Sequence, residues 1–494
     1  MEGFRDKTWL GAILVLAVAL RLWGLNAPMW HDEIQTLTTH VRLGWSDMVQ
    51  SYSMNHHYLH NIAAKLSVSL FGEHPWSVRL PAFLAGIGTL VAMWYLARDV
   101  AGAKIAHVTT LLLALSYHQI WFSQNARGYT GLALFSTLGM LFFLRGIAAP
   151  RRGTWIAYGA CLAAAVFTHL TGAFFFAAQG VVWLGLLAGR ALRGQLTAQV
   201  VRLPFLGFLV GGLIAAVLYL PVLPSLIDTV GSVSQSSATD VMQEYQSPLW
   251  TAMEAIRTAI GHAGPLTAMV GALVVALSVL GAVAINRDAP LFAVITFAHI
   301  VLTAALLVAV GMRVWPRFFF VDIGFLMLLI VLGVQLCTSL IGHFLGGERV
   351  ARGLFALAVI AMVVISAGLA KRNYDFPKQD LAGAYAFAKA NGQGKRIYAI
   401  GYSGQDFRDY YGADWPILFT NEDYIAAMAE PGPVLLVVGF PERNFRDVPQ
   451  LAADADAYGA ANICAPDHTA PVLHTLRCFG GTLGDGNVIV FARD

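Results

Sequence analysis

"LGAILVLAVALRLWGLNAPMWHDEIQT" occupies residues 10–36, an apolar run that closes on two adjacent carboxylates. The run approaches the roughly 20 apolar residues that a bilayer-spanning helix needs. No small-residue cleavage site follows it, so it reads as an uncleaved first span and not as a secretory signal. Asp32 and Glu33 then stand where a helix leaves the membrane. Ionisable groups at that depth are expensive and commonly functional. A helix cap accounts for one carboxylate, not for a Trp-His-Asp-Glu cluster.

The apolar pattern repeats along the chain. Of 494 residues 57% are hydrophobic and 12% charged, against about 25% charged in a typical soluble domain. The charge is missing in blocks, which predicts a polytopic α-helical membrane protein. Eleven candidate transmembrane helices lie near 8–25, 79–97, 104–121, 128–146, 155–170, 173–189, 203–222, 264–285, 290–311, 318–340 and 353–370. Basic connections fall at Arg5–Lys7, Arg98–Lys104, Arg145–Arg152, Arg190–Arg202, Asn286–Asp288 and Glu348–Arg352. Eleven spans put all of them on one side, so the positive-inside rule predicts a cytoplasmic N-terminus and an extracytoplasmic C-terminus. "HNIAAKLSVSLF" (60–71) is short and interrupted by Lys65. A span there inverts every later loop, so 57–71 is read as a juxtamembrane helix within an outer loop, 26–78. The net charge of +3 leaves no footprint for nucleic acid.

Composition changes after Lys371. "FPKQDLAGAYAFAKANGQGKRIYAIGY" reads as a helix and a strand, "PVLLVVGF" (433–440) as a buried strand and "GNVIVFARD" as a third. The chain therefore divides into a membrane domain, 1–370, and a small α/β domain, 371–494, outside the membrane. Cys464 and Cys478 are plausible disulfide partners in an oxidising compartment, whereas Cys161 and Cys337 lie in apolar segments as inert core residues. "LPSLIDTVGSVSQSSATDVMQEYQS" (223–247) reads as a mobile loop and a candidate lid.

With direction fixed, unusual residues gather on the outer face. "NHHYLH" (55–60) supplies His56, His57 and His60; "WFSQNARGY" (121–129) supplies Gln124, Asn125, Arg127 and Tyr129. His169 lies in the hairpin "FTHLTG", and Arg313 and Arg317 precede a late span. Each has a plainer role available. Arginines at helix ends, such as Arg79 and Arg313, snorkel to headgroups, and a lone histidine such as His169 is more often a packing residue. Taken together, an acidic pair, histidines and two arginines suggest an anionic lipid phosphate held by Arg beside a carboxylate that accepts a proton.

"RLWGLNAPMWHDEIQT", "HHYLHNIAAKLSVSLFGEHPWSVRLPAFLAGIGTLVAMWYLARDVAG" and "LALSYHQIWFSQNARGYTGLALF", followed by "FTHLTGAFFFAAQGVVWL", "YLPVLP" and "WPRFFFVDIGFLMLLIVLG", resemble the protein mannosyltransferase-like GT-C superfamily. The match narrows to its RgtA/B/C/D-like bacterial branch and extends more distantly to the lipid A aminoarabinose transferases. It runs in order over residues 8–370, and "KQDLAGAYAFA" resembles the start of that branch's outer domain. The resemblance implies a GT-C fold and an inverting glycosyltransferase of the bacterial inner membrane. Its donor is a polyprenyl-phosphate sugar and its acceptor an extracytoplasmic glycan, lipid or protein.

Carried over by position, the resemblance makes Asp32 the general base and Glu33 an acceptor-orienting residue or metal ligand. It brings Arg127, Tyr129 and Gln124 near the site and gives the donor phosphate to Arg317, with Arg313 beside it. Where the family has a His/Glu-Pro-Pro type element this chain has "NHHYLH", so the donor-contacting histidine is His56 or His57. A divalent ion (Mg, Mn or Zn) held by His169, Glu33 and His56 is a further option. The rivals are a lipid-linked-sugar transporter, expected to carry ionisable residues deep in its spans, for which Asp322 and His299 are the main candidates; a polysaccharide polymerase or ligase; and a silent assembly subunit.

Overall fold

Apolar runs punctuated by Gly, Pro and basic turns fold as helices throughout the first three quarters of the chain. The computed structural model describes every residue except 1, 51, 54, 236–246, 261–263, 265, 460–461, 466–469, 471 and 494. The helices are α1 (Glu2–Leu22), α2 (His31–Thr36), α3 (Trp45–Met48), α4 (Tyr58–Phe71), α5 (Pro75–Ala114), α6 (Tyr117–Ser123), α7 (Tyr129–Ala148), α8 (Arg152–Thr168), α9 (Gly172–Leu192), α10 (Ala198–Tyr219), α11 (Leu223–Gln235), α12 (Pro248–Ile260), α13 (Leu266–Ala284), α14 (Pro290–Ala309), α15 (Asp322–Leu345) and α16 (Glu348–Asp375). Two compact units result: Met1–Leu25 with Gly44–Arg372, and Asn26–Leu43 with Asn373–Asp494.

In the first unit, eight helices among the described residues are long and apolar enough to cross a bilayer. The chain is a multi-pass membrane protein. The segments read as spans at 8–25 and 155–170 are α1 and α8, of 21 and 17 residues, and are not among the eight. The segment read at 79–97 and the first part of that read at 104–121 are joined in α5, the rest of the latter lying in α6. The 40 residues of α5 correspond to about 60 Å of helix, twice a hydrocarbon core. Gly102 resolves the mismatch: its φ of +83° is non-helical and costs glycine little. The Trp94 indole N–H donates to His107 Nδ1 at 2.8 Å, although 13 residues of straight helix span about 20 Å. The chain therefore doubles back at Gly102, among Arg98, Asp99 and Lys104.

Close helix crossings use small residues, as membrane interfaces do. A methyl group on Gly281 of α13 meets the backbone of Leu329 in α15, and one on Gly333 of α15 meets the backbone of Leu277 in α13. Arg21 is fully buried at the end of α1. It donates to the carbonyls of Ala17 and Ala114 and to Ser123 Oγ, at 3.1–3.2 Å. Arg79 does not snorkel: it is buried and donates to the carbonyl of Leu25 at 2.8 Å. Residues 60–71 lie in α4, a helix of 14 residues. Of the stretch read as a mobile lid, 223–235 is the helix α11 and 236–246 lie outside the described residues.

The second unit continues with α17 (Leu381–Asn391), β1 (Arg396–Ile400), α18 (Ser403–Asp409), β2 (Ile417–Leu418), α19 (Asn421–Ala429), β3 (Val434–Gly439), α20 (Pro441–Asp447), α21 (Pro449–Asp454), β4 (His474–Phe479) and β5 (Val488–Arg493). Its sheet has the order β2-β1-β3-β5-β4. β1 is parallel to β2 and β3, with Tyr398 opposite Leu436, while β5 is antiparallel to β3 and β4, with Val490 opposite Val437. Every residue of β3 is buried, as expected of a central strand covered on both faces. The helix and three strands expected here are α17, β1, β3 and β5. The short β2 and the half-exposed edge strand β4 are additional. Cys478 of β4 forms a disulfide with Cys464, their Cα atoms 5.7 Å apart. The division differs from the one read from composition in one respect. Residues 26–43, carrying Asp32 and Glu33, group with the C-terminal unit.

Candidate functional site

The residues singled out from sequence divide between the two units. In the membrane unit, turns before α4, α7 and α15 and between α8 and α9 meet. His57 precedes α4, and its ring centroid lies 4.8 Å from that of His169 and 5.1 Å from that of Tyr129. Tyr129 and His169 are 5.3 Å apart, and Phe318 contacts His169 at 5.8 Å. The Gly128 backbone N–H donates to His57 Nδ1 at 3.3 Å, which assigns the ring proton to Nε2. That Nε2 is buried with no hydrogen-bond partner among the described residues. His169 closes its own turn, its Nδ1 accepting from the Thr171 backbone N–H at 3.2 Å.

Two guanidinium groups complete this cluster. Arg127 is buried and lies 6.0 Å from the Tyr129 ring. Arg317, in the 3₁₀ turn Pro316–Phe319, stacks on Trp315 at 4.7 Å, and Arg313 approaches the same indole at 5.8 Å. Burial, and then Arg127, with His169, His60 and Arg317 after it, hold His57 well below the usual histidine range. Burial followed by Arg127 and Arg317 pushes His169 down to about 3. No carboxylate figures among the described groups that set the charge of either ring. The cluster thus presents neutral imidazole and two guanidinium groups in a dry setting, where charge-assisted bonds to an anion are strong.

Two of the sequence candidates have other work. His56 Nε2–H donates to the Met48 carbonyl at 2.8 Å, its Nδ1 accepts from Asn61 at 3.2 Å, and its ring stacks on Tyr58 at 3.8 Å. Both ring nitrogens are committed, so of the two histidines His57 is the one presented to the cluster. The Gln124 amide donates to the Leu20 and Arg21 carbonyls at 3.3 and 3.0 Å, closing α1.

In the C-terminal unit, "WHDEIQT" forms α2. Glu33 is fully buried; its carboxylate accepts from the Trp30 backbone N–H at 3.4 Å and lies 4.0 Å from Lys378 Nζ. This is the reciprocal carboxylate of a helix start. Asp32 is half-buried one position earlier, its carbonyl accepting from Thr36 Oγ1 at 2.9 Å. His31 Nδ1 lies 2.6 Å from Asp406 Oδ2, and Gln35 Nε2 donates to Asp406 Oδ1 at 3.2 Å. Burial pushes the Asp406 carboxyl up, against the bonds from His31 and Gln35. Sequence reasoning passed over His31, Trp315 and Asp406. The first two adjoin selected residues, whereas nothing in "SGQDFRDYYG" marks Asp406.

The proposed metal donors do not fit together. His56 has both nitrogens engaged, and Glu33 accepts from its helix start and lies 4.0 Å from Lys378 Nζ. Among the described residues no three His, Cys, Asp or Glu side chains are grouped to hold an ion.

Residues 55–224, about a third of the chain, match the family described as dolichyl-phosphate-mannose-protein mannosyltransferase. ArnT from Cupriavidus metallidurans, solved bound to undecaprenyl phosphate, covers 98% of this chain and 97% of its own at 15% identity, with a TM-score of 0.52. The chain has the GT-C fold. AglB, the oligosaccharyltransferase of Archaeoglobus fulgidus, solved with an inhibitory peptide and a dolichol-phosphate, shares the GT-C fold over 88% of this chain and 70% of its own. Its identity is 12% and its TM-score 0.51. No curated protein matches the chain. The family match includes His57, Arg127, Tyr129 and His169; Asp32, Arg317 and the C-terminal unit lie outside it.

Proposed function

We propose that this GT-C protein is an inverting glycosyltransferase that moves a sugar from a polyprenyl-phosphate donor to a glycan, lipid or protein hydroxyl. The observation that carries the reading is the cluster of buried His57 and Arg127 with half-buried Arg317, where an N–H donor and guanidinium groups are gathered without a carboxylate among the groups that set the histidine charge. ArnT, of like fold, was solved with undecaprenyl phosphate. The Cys464–Cys478 disulfide supports an oxidising compartment for the C-terminal unit. With the side chosen by the basic connections, this gives an extracytoplasmic reaction at a bacterial inner membrane.

The reaction is a single displacement. The acceptor oxygen attacks the anomeric carbon as its proton passes to Asp32. The bond from that carbon to the phosphate oxygen breaks, and its electron pair leaves with the lipid phosphate. Arg317 and Arg127 offset the growing charge on that phosphate, and His57 Nε2–H donates to one of its oxygens. One base suffices, because one displacement inverts the centre. Glu33 takes no part in the proton transfer.

The test uses the purified full chain with a panel of undecaprenyl-phosphate sugars, read as release of undecaprenyl phosphate. Arg317→Ala and Asp32→Asn are expected to lower release about 100-fold or more, the usual scale for lost charge stabilisation or acid–base catalysis. Full turnover by both variants sinks the assignment. A lipid-linked-sugar transporter is the second reading, favoured by the buried pair His299–Asp322, 2.8 Å apart between α14 and α15. It predicts movement of the intact donor across vesicles without release of lipid phosphate.

A further inference from the structure

α2 is held from one side by a single buried carboxylate. His31 and Gln35, four residues apart and so on one face of the helix, both bond to Asp406, which is fully buried. Asp406 stands on a rigid support. Its helix α18 is pinned to the sheet by Ser403 Oγ, which donates to the Ile400 carbonyl of β1 at 3.1 Å and accepts from the Gly439 N–H of β3 at 3.3 Å. Three further contacts come from the same unit: Gln379 Oε1 accepts from the His31 backbone N–H at 3.3 Å, Phe440 packs edge-on against the His31 ring at 5.0 Å, and Arg42 donates to the Asp409 carbonyl at 2.7 Å. Asp32 lies roughly 100° round α2 from His31, on the face next to the tethered one.

We infer that Asp406, acting through His31 and Gln35, is a positioning residue for Asp32, and that this is the C-terminal unit's contribution to the reaction. The inference rests on the glycosyltransferase reading. Catalytic groups must be held within a fraction of an ångström by partners that are themselves fixed. A six-residue helix running on into a single π-helical turn, Leu37–Val41, cannot supply that alone, since isolated helices shorter than about 12 residues are marginal. Asp406 supplies it with one charge and two acceptor oxygens, each taken by a different residue of the turn. His31 and Asp406 touch no reacting atom in this account; they set where the Asp32 carboxylate points.

The experiment exploits the polarity of the bonds. Gln35→Glu removes the donor and sets a carboxylate against Asp406. Adding Asp406→Asn restores both bonds with one reversed, the new amide N–H donating to residue 35 while its oxygen still accepts from His31. In the full chain, Gln35→Glu is expected to lower kcat for undecaprenyl phosphate release about 10- to 100-fold, the scale of a misplaced group, with KM for the lipid donor within about 2-fold. Gln35→Glu/Asp406→Asn is expected to recover to within about 3-fold of wild type. Hydrogen exchange should rise in 30–42 for the single variant alone, while β3 and β5 stay protected in both, showing the unit folded. Unchanged kcat in Gln35→Glu, a change confined to KM, or failure of the double variant to recover overturns the inference. A wild-type chain that releases lipid phosphate from none of the donors overturns the glycosyltransferase reading itself and this inference with it, a failure visible before any variant is compared.

Discussion

The backbone N–H of Gly128 donates to Nδ1 of His57 at 3.3 Å, across 71 residues of sequence. The bond decides which nitrogen of His57 carries the proton. It also ties the turn before α4 to the turn that opens α7, between Arg127 and Tyr129.

Gly128 admits no side chain. A Cβ there meets His57 Nδ1 and Thr168 Cγ2 at 2.8 Å each. Gly128→Ala is expected to displace His57 and lower turnover about 10-fold or more, with destabilisation of about 1–3 kcal/mol from overpacking. Release of undecaprenyl phosphate and thermal melting in detergent check the two effects separately.

Neighbouring histidines should respond differently. His56→Ala strands the Met48 carbonyl and the Asn61 amide, so it should cost about 1–3 kcal/mol in stability. His57→Ala should cost a similar amount, since it strands the Gly128 N–H, but should also lower turnover about 10- to 100-fold, as the loss of one hydrogen-bond donor to a developing charge does, whereas His56→Ala should leave turnover within about 3-fold. The reverse pattern returns the site to His56.

The pH dependence follows from His169. Its pKa is lowered from 6.5 to about 3 by burial, with Arg127 and Arg317 adding to it. Between those values the unfolded chain binds a proton that the folded chain refuses. Stability is therefore fully present above about pH 6.5 and falls as the pH drops towards 3. Melting followed from pH 7.5 to 4.5 should show this slope, and His169→Asn should reduce it, the remainder coming from His57 and His56, whose pKa values burial also lowers.

Cys464 and Cys478 are 14 residues apart. Closing such a loop is worth about 3 kcal/mol on chain-entropy grounds. Cys464→Ala/Cys478→Ala should lower the melting temperature of the C-terminal unit while α5 and α7 amides keep their exchange protection.

The membrane helices and three of the five strands are legible in the sequence because burial writes itself as hydropathy and as period. The edge strand β4 is half-exposed and carries Arg477, so its pattern resembles a loop. His56 and His57 are indistinguishable as letters; only the start of α4 turns one toward Met48 and the other toward Gly128. Glu33 reads as catalytic beside Asp32, yet its spacing from Trp30 makes it the carboxylate of a helix start. Asp406 lies far from its partners in sequence, and no local pattern announces a contact of that kind.

The reversal at Gly102 bears on how the chain enters its membrane. Asp6 lies 3.4 Å from His107 just past that reversal, while Arg21 reaches the Ala114 carbonyl at the other end of the same arm. The first helix and the second arm of α5 therefore run the same way, and the first arm runs against them. With no loop between the arms of α5, the charges at the tip, Arg98, Asp99 and Lys104, set the side of the membrane on which both arms meet. Moving the Gly102 break by a few residues would bring Arg98 or Lys104 into the hydrocarbon, so biogenesis constrains that glycine even though it is far in sequence from every residue assigned to the chemistry.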